Sequence, residues 1–474
     1  MIHKLVLMNS YKEKNNEKTY GLLTLIVVGI FVAFKFQDLF LPYFWDELGV
    51  YSRACLYLAE HGLGILPASL PPVWSRGHPL LFQFIYGLGF TIFGKSVVVG
   101  HSISLLVTCL LLLGLYKKIS SFYNRLIGFC VVLLLCAQPV FLAQSTFVLP
   151  EMMLTLFAFL AITSYYQKQF GWFALYASLA MMTKESAIVI PFVAFAYGFI
   201  QDIILKQKAG YFTLGSLLLT FFPLIVFGVF LLIQKEQNGW CFLPEHVGYV
   251  SFKLADILDH NHRYQNFFFY NQGRYWWVKV LLIGSSFALL KAKTKLNNSF
   301  VLLSSIFIGA FLAFGSLNFY MDRYMLAVFP FLTALVVIAA YTIFTNKFWL
   351  TGITLLLSVL CLHDLDPGWF NYDCDMGFKH HLNVEQKLID KLCEINSIEN
   401  EISPSFPVYV AWTDSNTGFR VCPGIIQPTK KFYKKTYLEY TSEHGGIPLE
   451  TDSCKLIFRI KENCAEGMIY EKTN

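Results

Sequence analysis

Residues 78–94 read HPLLFQFIYGLGFTIFG, and whether this stretch crosses a bilayer decides the side on which every later loop of the chain lies. It is apolar, but it is short, carries three glycines and follows the proline-bearing stretch Pro67 to Pro72. Crossing roughly 30 Å of hydrocarbon takes about 20 apolar residues in a helix. Runs on either side of it fit that length better. They lie near Tyr20 to Phe36, Val97 to Tyr116, Leu126 to Leu142, Glu151 to Tyr166, Trp172 to Thr183 and Ser186 to Leu205. Further runs lie near Tyr211 to Ile233, Tyr275 to Leu290, Ser299 to Leu317, Tyr324 to Phe344 and Phe348 to His363, giving about eleven spans.

The positive charges resolve the question. If residues 78–94 stay on one face, the cytoplasmic side receives Lys4, Lys12, Lys14 and Lys18, then Lys117, Lys118 and Arg125. It also receives Lys168, Lys206 and Lys208, then Lys291, Lys293, Lys295 and Lys347, as the positive-inside bias requires. If they span, every later cluster moves outward. The stretch therefore reads as an interfacial or re-entrant segment on the outer face, within a first outer loop of residues 37–96. The N-terminus is then cytoplasmic and the tail extracytoplasmic.

Composition agrees. Of 474 residues, 55% are hydrophobic and 14% charged, so the bilayer rather than a soluble core takes up the apolar surface. The net charge of +6 is dispersed, with no basic block that would track a phosphate backbone, which excludes nucleic acid as a partner. The first apolar run follows a lysine-bearing N-terminus without a small-residue cleavage site, and reads as an uncleaved signal anchor. The expected fold class is an all-α polytopic membrane protein over residues 1–363, followed by a small α/β extracytoplasmic domain over 364–474. In that tail, Asn383 to Ser397 carries a helical stripe of Val384, Leu388, Leu392 and Ile395, and three runs read as strands: Pro407 to Trp412, Cys454 to Ile460 and Gly467 to Tyr470. Cys374, Cys393, Cys422, Cys454 and Cys464 suffice for one or two disulfides, or are buried thiols. No pattern in the tail carries chemistry.

The parity choice gathers the ionisable residues at boundaries of apolar runs onto one outer face, where such groups are costly and usually functional. Asp46 and Glu47 stand at the start of a short interfacial helix ending at Gly62. The helix dipole keeps an acid there ionised, and an acid pair beside hydrocarbon suits a general base acting on a hydroxyl. Ordinary N-capping explains one acid but not both. Glu151 opens a helix after Pro150, a common position for glutamate. Lys184 interrupts an apolar hairpin, where it pairs with its neighbour Glu185 or binds a phosphate. Arg323 closes another outer boundary, as a phosphate clamp or a salt bridge to its neighbour Asp322.

In order, WDE at 45–47, RGHPLL at 76–81, PE at 150–151, LAMMTKES at 179–186 and DRYMLAVFP at 322–330 resemble the GT-C superfamily of integral membrane glycosyltransferases. Within it the chain is most similar to the protein O-mannosyltransferase and aminoarabinose transferase group, over roughly Phe44 to Pro330. The resemblance implies transfer of a sugar from a polyprenyl-phosphate donor to a hydroxyl acceptor, with Asp46 as base and Glu47 as its supporting acid. It implies donor-phosphate contacts from His78, Lys184 and Arg323, and substrate contacts from Tyr51, Arg53, Arg76, Glu151 and Tyr324. A divalent metal, if used, falls to Asp46 and Glu151. This sequence has one proline where family members often read HPPL or KPPL, and glutamate at 151 where they usually have aspartate. Two other readings stand beside it: a lipid or oligosaccharide transporter, which needs polar groups near mid-membrane and usually internal repeats, and an O-antigen ligase or polymerase using a diphosphate-linked donor. The expected location is a bacterial inner membrane, for want of a retention signal of the endoplasmic reticulum.

Overall fold

The computed structural model describes residues 2–207, 209–290, 298–366, 368, 371–395, 401–403, 406, 408–420, 436–441 and 454–472. Lys208, Lys291, Lys293, Lys295, Ser397, Pro407 and Cys422 lie outside them. A helix occupies each of the eleven apolar runs expected to span. Six of these segments are long and apolar enough to cross a membrane: Lys18–Phe40, Val97–Phe122, Glu185–Ile204, Leu214–Asn238, Ser299–Ser316 and Asp322–Ile343. Others are shorter or broken for local reasons. Leu126 to Leu142, expected as one span, splits into Arg125–Cys136 and Pro139–Gln144, because Pro139 has no N–H to continue the ladder and disfavours helical backbone just before it.

Apolar side chains fill the core and also cover much of the outside of the bundle. On Leu214–Asn238, the exposed side chains Leu214, Leu218, Phe222, Ile225, Val229 and Leu232 form a stripe at helical spacing. An apolar stripe facing outward is what a lipid solvent selects. Conversely Pro150–Tyr166, nearly all of whose side chains are buried, and Arg125–Cys136 run through the middle of the bundle. The helix from the opening stretch, Leu81–Phe93, has 13 residues, about 20 Å at 1.5 Å per residue, well short of the hydrocarbon thickness. It lies against Ser52–His61: a Cβ on Gly87 would sit 3.2 Å from the Cys55 carbonyl oxygen, a tight contact that glycine avoids where the two backbones approach.

The tail is α/β, as expected in kind. Phe378–Ile395 buries Val384, Leu388 and Leu392. It packs on a four-stranded sheet of β1 (Glu401–Ser403), β2 (Thr436–Thr441), β3 (Cys454–Glu462) and β4 (Ala465–Lys472), in the order β1-β2-β4-β3 with the β1–β2 pair parallel and the rest antiparallel. One expected strand is a helix instead: Val408–Thr413. Its short apolar run, VYVA, reads equally as one buried face of a helical turn, with Val408, Val410 and Ala411 inside. Cys393 is disulfide-bonded, Cys374 and Cys454 are free thiols, and Cys464 Sγ lies 3.5 Å from His381 Nε2. The tail is fastened to the bundle: Lys379 Nζ lies 2.5 Å from Asp38, itself bonded to Lys35 at the end of the first helix, and the Tyr43 N–H donates to the Thr417 carbonyl at 2.9 Å.

Candidate active site

Trp45 has a left-handed backbone, φ +51°, uncommon outside glycine, and its ring is held against Tyr372 and Phe406 at centroid distances of 4.9 and 5.7 Å. The two following acids go to different places. Glu47 is fully buried: Oε1 accepts from the Val148 N–H at 2.7 Å and lies 2.9 Å from His101 Nε2, while Oε2 accepts from the Phe44 N–H at 3.2 Å. Asp46, about a third exposed, lines a cavity of about 370 Å³.

Behind Asp46 stands a dry ionic network. Arg323, fully buried, donates to Asp46 with one terminal nitrogen and to Asp373 with the other, and its Nε lies 3.6 Å from Glu151 Oε1. The same Glu151 oxygen accepts from Lys184 Nζ at 2.7 Å. Lys184 sits 3.9 Å above the Tyr324 ring and reaches the cavity. Three carboxylates and two cations thus hold one another in fixed positions, as buried charges must. Burial, reinforced by the neighbouring carboxylates Asp46 and Glu151, outweighs Arg323 and pushes Asp373 up to about 6.

Six of the residues named from sequence therefore face one cavity: Asp46, Tyr51, Arg76, His78, Lys184 and Tyr324. Glu151 and Arg323 stand directly behind it. Two do not reach it. Glu47 is spent on the backbone of the bundle, and Arg53 lies 4.8 Å over Trp74 and 3.6 Å from Asp414 of the tail. Three expected pairings also differ. Arg323 bonds not to Asp322, which takes the Tyr320 hydroxyl, but to acids far away in sequence. Lys184 pairs with Glu151, and Glu185 with His78 at 2.8 Å. Asp46 and Glu151 are joined through Arg323 rather than across a shared ion site; the described His, Cys and acidic side chains that converge as metal ligands do are His78, Glu185 and His246.

Sequence reasoning missed Asp373, which lies in the tail, where no motif pointed to chemistry. The available signal was a cluster of acids, Asp364, Asp366, Asp373 and Asp375, just past the last apolar run. Also missed were Glu245, His246 and Tyr249 on the cavity's outer wall, which come from a polar stretch without periodicity.

The fold and this site define a class: a multi-pass integral membrane protein with an ionic cavity at one end of its helical bundle. Residues 77–227 match the model of the family described as dolichyl-phosphate-mannose-protein mannosyltransferase, a stretch shorter than half the chain that holds His78, Glu151, Lys184 and Glu185. Among solved structures, ArnT from Cupriavidus metallidurans bound to undecaprenyl phosphate is similar with 10% identity and a TM-score of 0.50, over 95% of this chain and 97% of that one. ArnT in the apo state gives 11% identity and 0.52, over 93% and 97%. The Archaeoglobus fulgidus oligosaccharyltransferase is similar at 13% identity and 0.48, over 85% of this chain and 62% of that one. No curated protein matches the chain in sequence. The chain is thus similar, over residues 77–227, to the dolichyl-phosphate-mannose-protein mannosyltransferase family, and at these identities the ArnT likeness is one of fold.

Proposed function

We propose that the chain is a membrane glycosyltransferase that moves a sugar from a polyprenyl-phosphate donor to a hydroxyl acceptor by inverting single displacement, with Asp46 as base. The observation that carries this reading is the composition of the cavity, which the Asp46 carboxylate lines together with Lys184, His78 and Arg76. Asp46 takes the proton of the acceptor hydroxyl. The freed oxygen bonds to the anomeric carbon, the bond from that carbon to the phosphate oxygen breaks, and the electron pair departs with polyprenyl phosphate. Polyprenyl phosphate, the monoester released from the donor's diester, leaves without a general acid, and the cations neutralise its charge. Arg323, with its two terminal nitrogens bonded to Asp46 and Asp373, aims Asp46, and Asp373 and Glu151 hold Arg323. Glu47 supports the same turn from inside the bundle.

The cavity would open on the extracytoplasmic face of a bacterial inner membrane, with the N-terminus cytoplasmic. Glu151 stands at the cavity end of Pro150–Tyr166, while Lys118 and Gln167, 2.6 Å apart, join two helices at the far end, in keeping with the positive-inside rule. A reporter fused after Lys118 is expected to be cytoplasmic. Purified protein given labelled polyprenyl-phosphate sugars and hydroxyl acceptors should release polyprenyl phosphate and glycosylated acceptor in equal amounts. Labelled lipid that crosses proteoliposome membranes intact, without sugar release, would make the chain a transporter. Activity confined to diphosphate-linked donors would make it a ligase or polymerase.

A further inference from the structure

Three distant parts of the chain also line the cavity, next to Lys184, and make up what we call its outer wall. His78 comes from the turn after Arg76, Glu185 from the 3-10 turn Glu185–Ile188, and His246 from the short helix Pro244–Val247. His78 Nδ1 is 2.8 Å from Glu185 Oε2, and the two imidazole centroids are 5.1 Å apart. One ligand atom from each of the three residues lies within 4.8 Å of the others. The backbone is built for this approach. Gly77 has φ +73°, and a Cβ there would meet the Trp240 ring at 3.0 Å and Leu243 at 3.1 Å, so glycine is what lets the loop carrying His246 lie on the loop carrying His78. The Gln234 amide ties the two loops, donating to the Gly77 carbonyl at 3.3 Å and the Cys241 carbonyl at 2.6 Å.

The geometry points to a divalent-cation site formed by His78, Glu185 and His246, with an open position toward the cavity. Two imidazoles and one carboxylate are a ligand set that suits zinc, and three protein ligands leave the fourth tetrahedral position for an outside oxygen. Zinc bonds at about 2.0–2.2 Å require only side-chain adjustment from the present spacing, the ion replacing the hydrogen bond between His78 and Glu185. The fourth ligand would come from the space that Asp46 and Lys184 also line. For that ligand the inference rests on the function proposed above: it is an oxygen of the donor's phosphate, so that His78 meets the phosphate through the ion. The metal site itself does not depend on that reading.

Cobalt distinguishes the two, because a tetrahedral N/O site gives it visible absorption. Metal-stripped full-length protein in detergent, titrated with Co2+, should take up one equivalent into an absorbing site that Zn2+ displaces. His246→Gln and Glu185→Gln should each weaken uptake by about a hundredfold or more, while their metal-free melting temperatures stay near that of wild type. Absence of the absorbing site in wild type, or its survival in both variants, would overturn the assignment. Undecaprenyl phosphate, added to the cobalt form, should shift the bands; bands present but unmoved would uphold the metal site and contradict the donor reading.

Discussion

The two walls of the cavity are built from the same residue types and behave oppositely. On the inner wall, Arg323, Glu151 and Asp373 are almost wholly buried, and with the partly exposed Asp46 they form ion pairs across four separate stretches of chain. On the outer wall, Arg76 and Glu245 pair at 3.3 Å with both side chains largely exposed, and Glu185 and His246 are half-buried. A dry network is costly to assemble and rigid once made, whereas wet pairs are weak and exchangeable. Under the proposed function the two sides divide the work: the inner wall holds Asp46 in place, and the outer wall stays accessible to a ligand.

The most damaging way to break this contrast is Arg323→Met, which leaves Asp46, Asp373 and Glu151 without their shared cation. Removing one partner of a buried ionic set costs about 3–5 kcal/mol, so a large fall in detergent melting temperature is expected. Arg323→Lys should recover only part of it, since an ammonium cannot fork to two carboxylates. Gly77→Ala attacks the outer wall. It should cost about 1–2 kcal/mol through its positive φ and the Trp240 contact, and reduce cobalt uptake more than transfer.

Asp373→Asn sharpens the contrast through pH. Because the folded Asp373 sits near 6, above its ordinary 3.8, the folded state binds this proton more tightly than the unfolded chain. The stability it contributes is fully present below about 4 and lost as pH rises through about 6. Melting curves of wild type and Asp373→Asn between pH 4 and 7 should therefore diverge, wild type gaining relative to the variant toward acid; parallel curves would mean that Asp373 titrates normally. Least is expected from Arg53→Ala, which removes a half-exposed pair with Asp414 and the stacking over Trp74. A cost below about 1 kcal/mol and unchanged transfer would confirm that this residue lies outside the working cavity.

Much of the fold was legible because a bilayer leaves a strong one-dimensional trace. Apolar run length located the helices, and the short, glycine-bearing run at 78–94 is a helix of only 13 residues, while the side of the membrane read from the lysines remains part of the proposal. Helix breaks at Pro139 and the helical state of 408–413 were less legible, since short apolar runs carry no decisive period. The residues of the site were largely legible as charges at the edges of apolar runs, but their partners were not. Nothing local to Lys184 says that it bonds to Glu151 rather than Glu185, and nothing local to Arg323 points to Asp46 or to Asp373, 50 residues further on. Glu47 reads like Asp46 in sequence. Successive residues of helical backbone point about 100° apart, and that alone separates a cavity acid from a buried one.

The account stands most directly on Asp46. Sugar transfer from a labelled polyprenyl-phosphate donor, measured for wild type and Asp46→Asn at matched donor occupancy, should fall by about two to four orders of magnitude in the variant, the usual contribution of a positioned general base, while donor binding persists. Equal transfer by both proteins would contradict it.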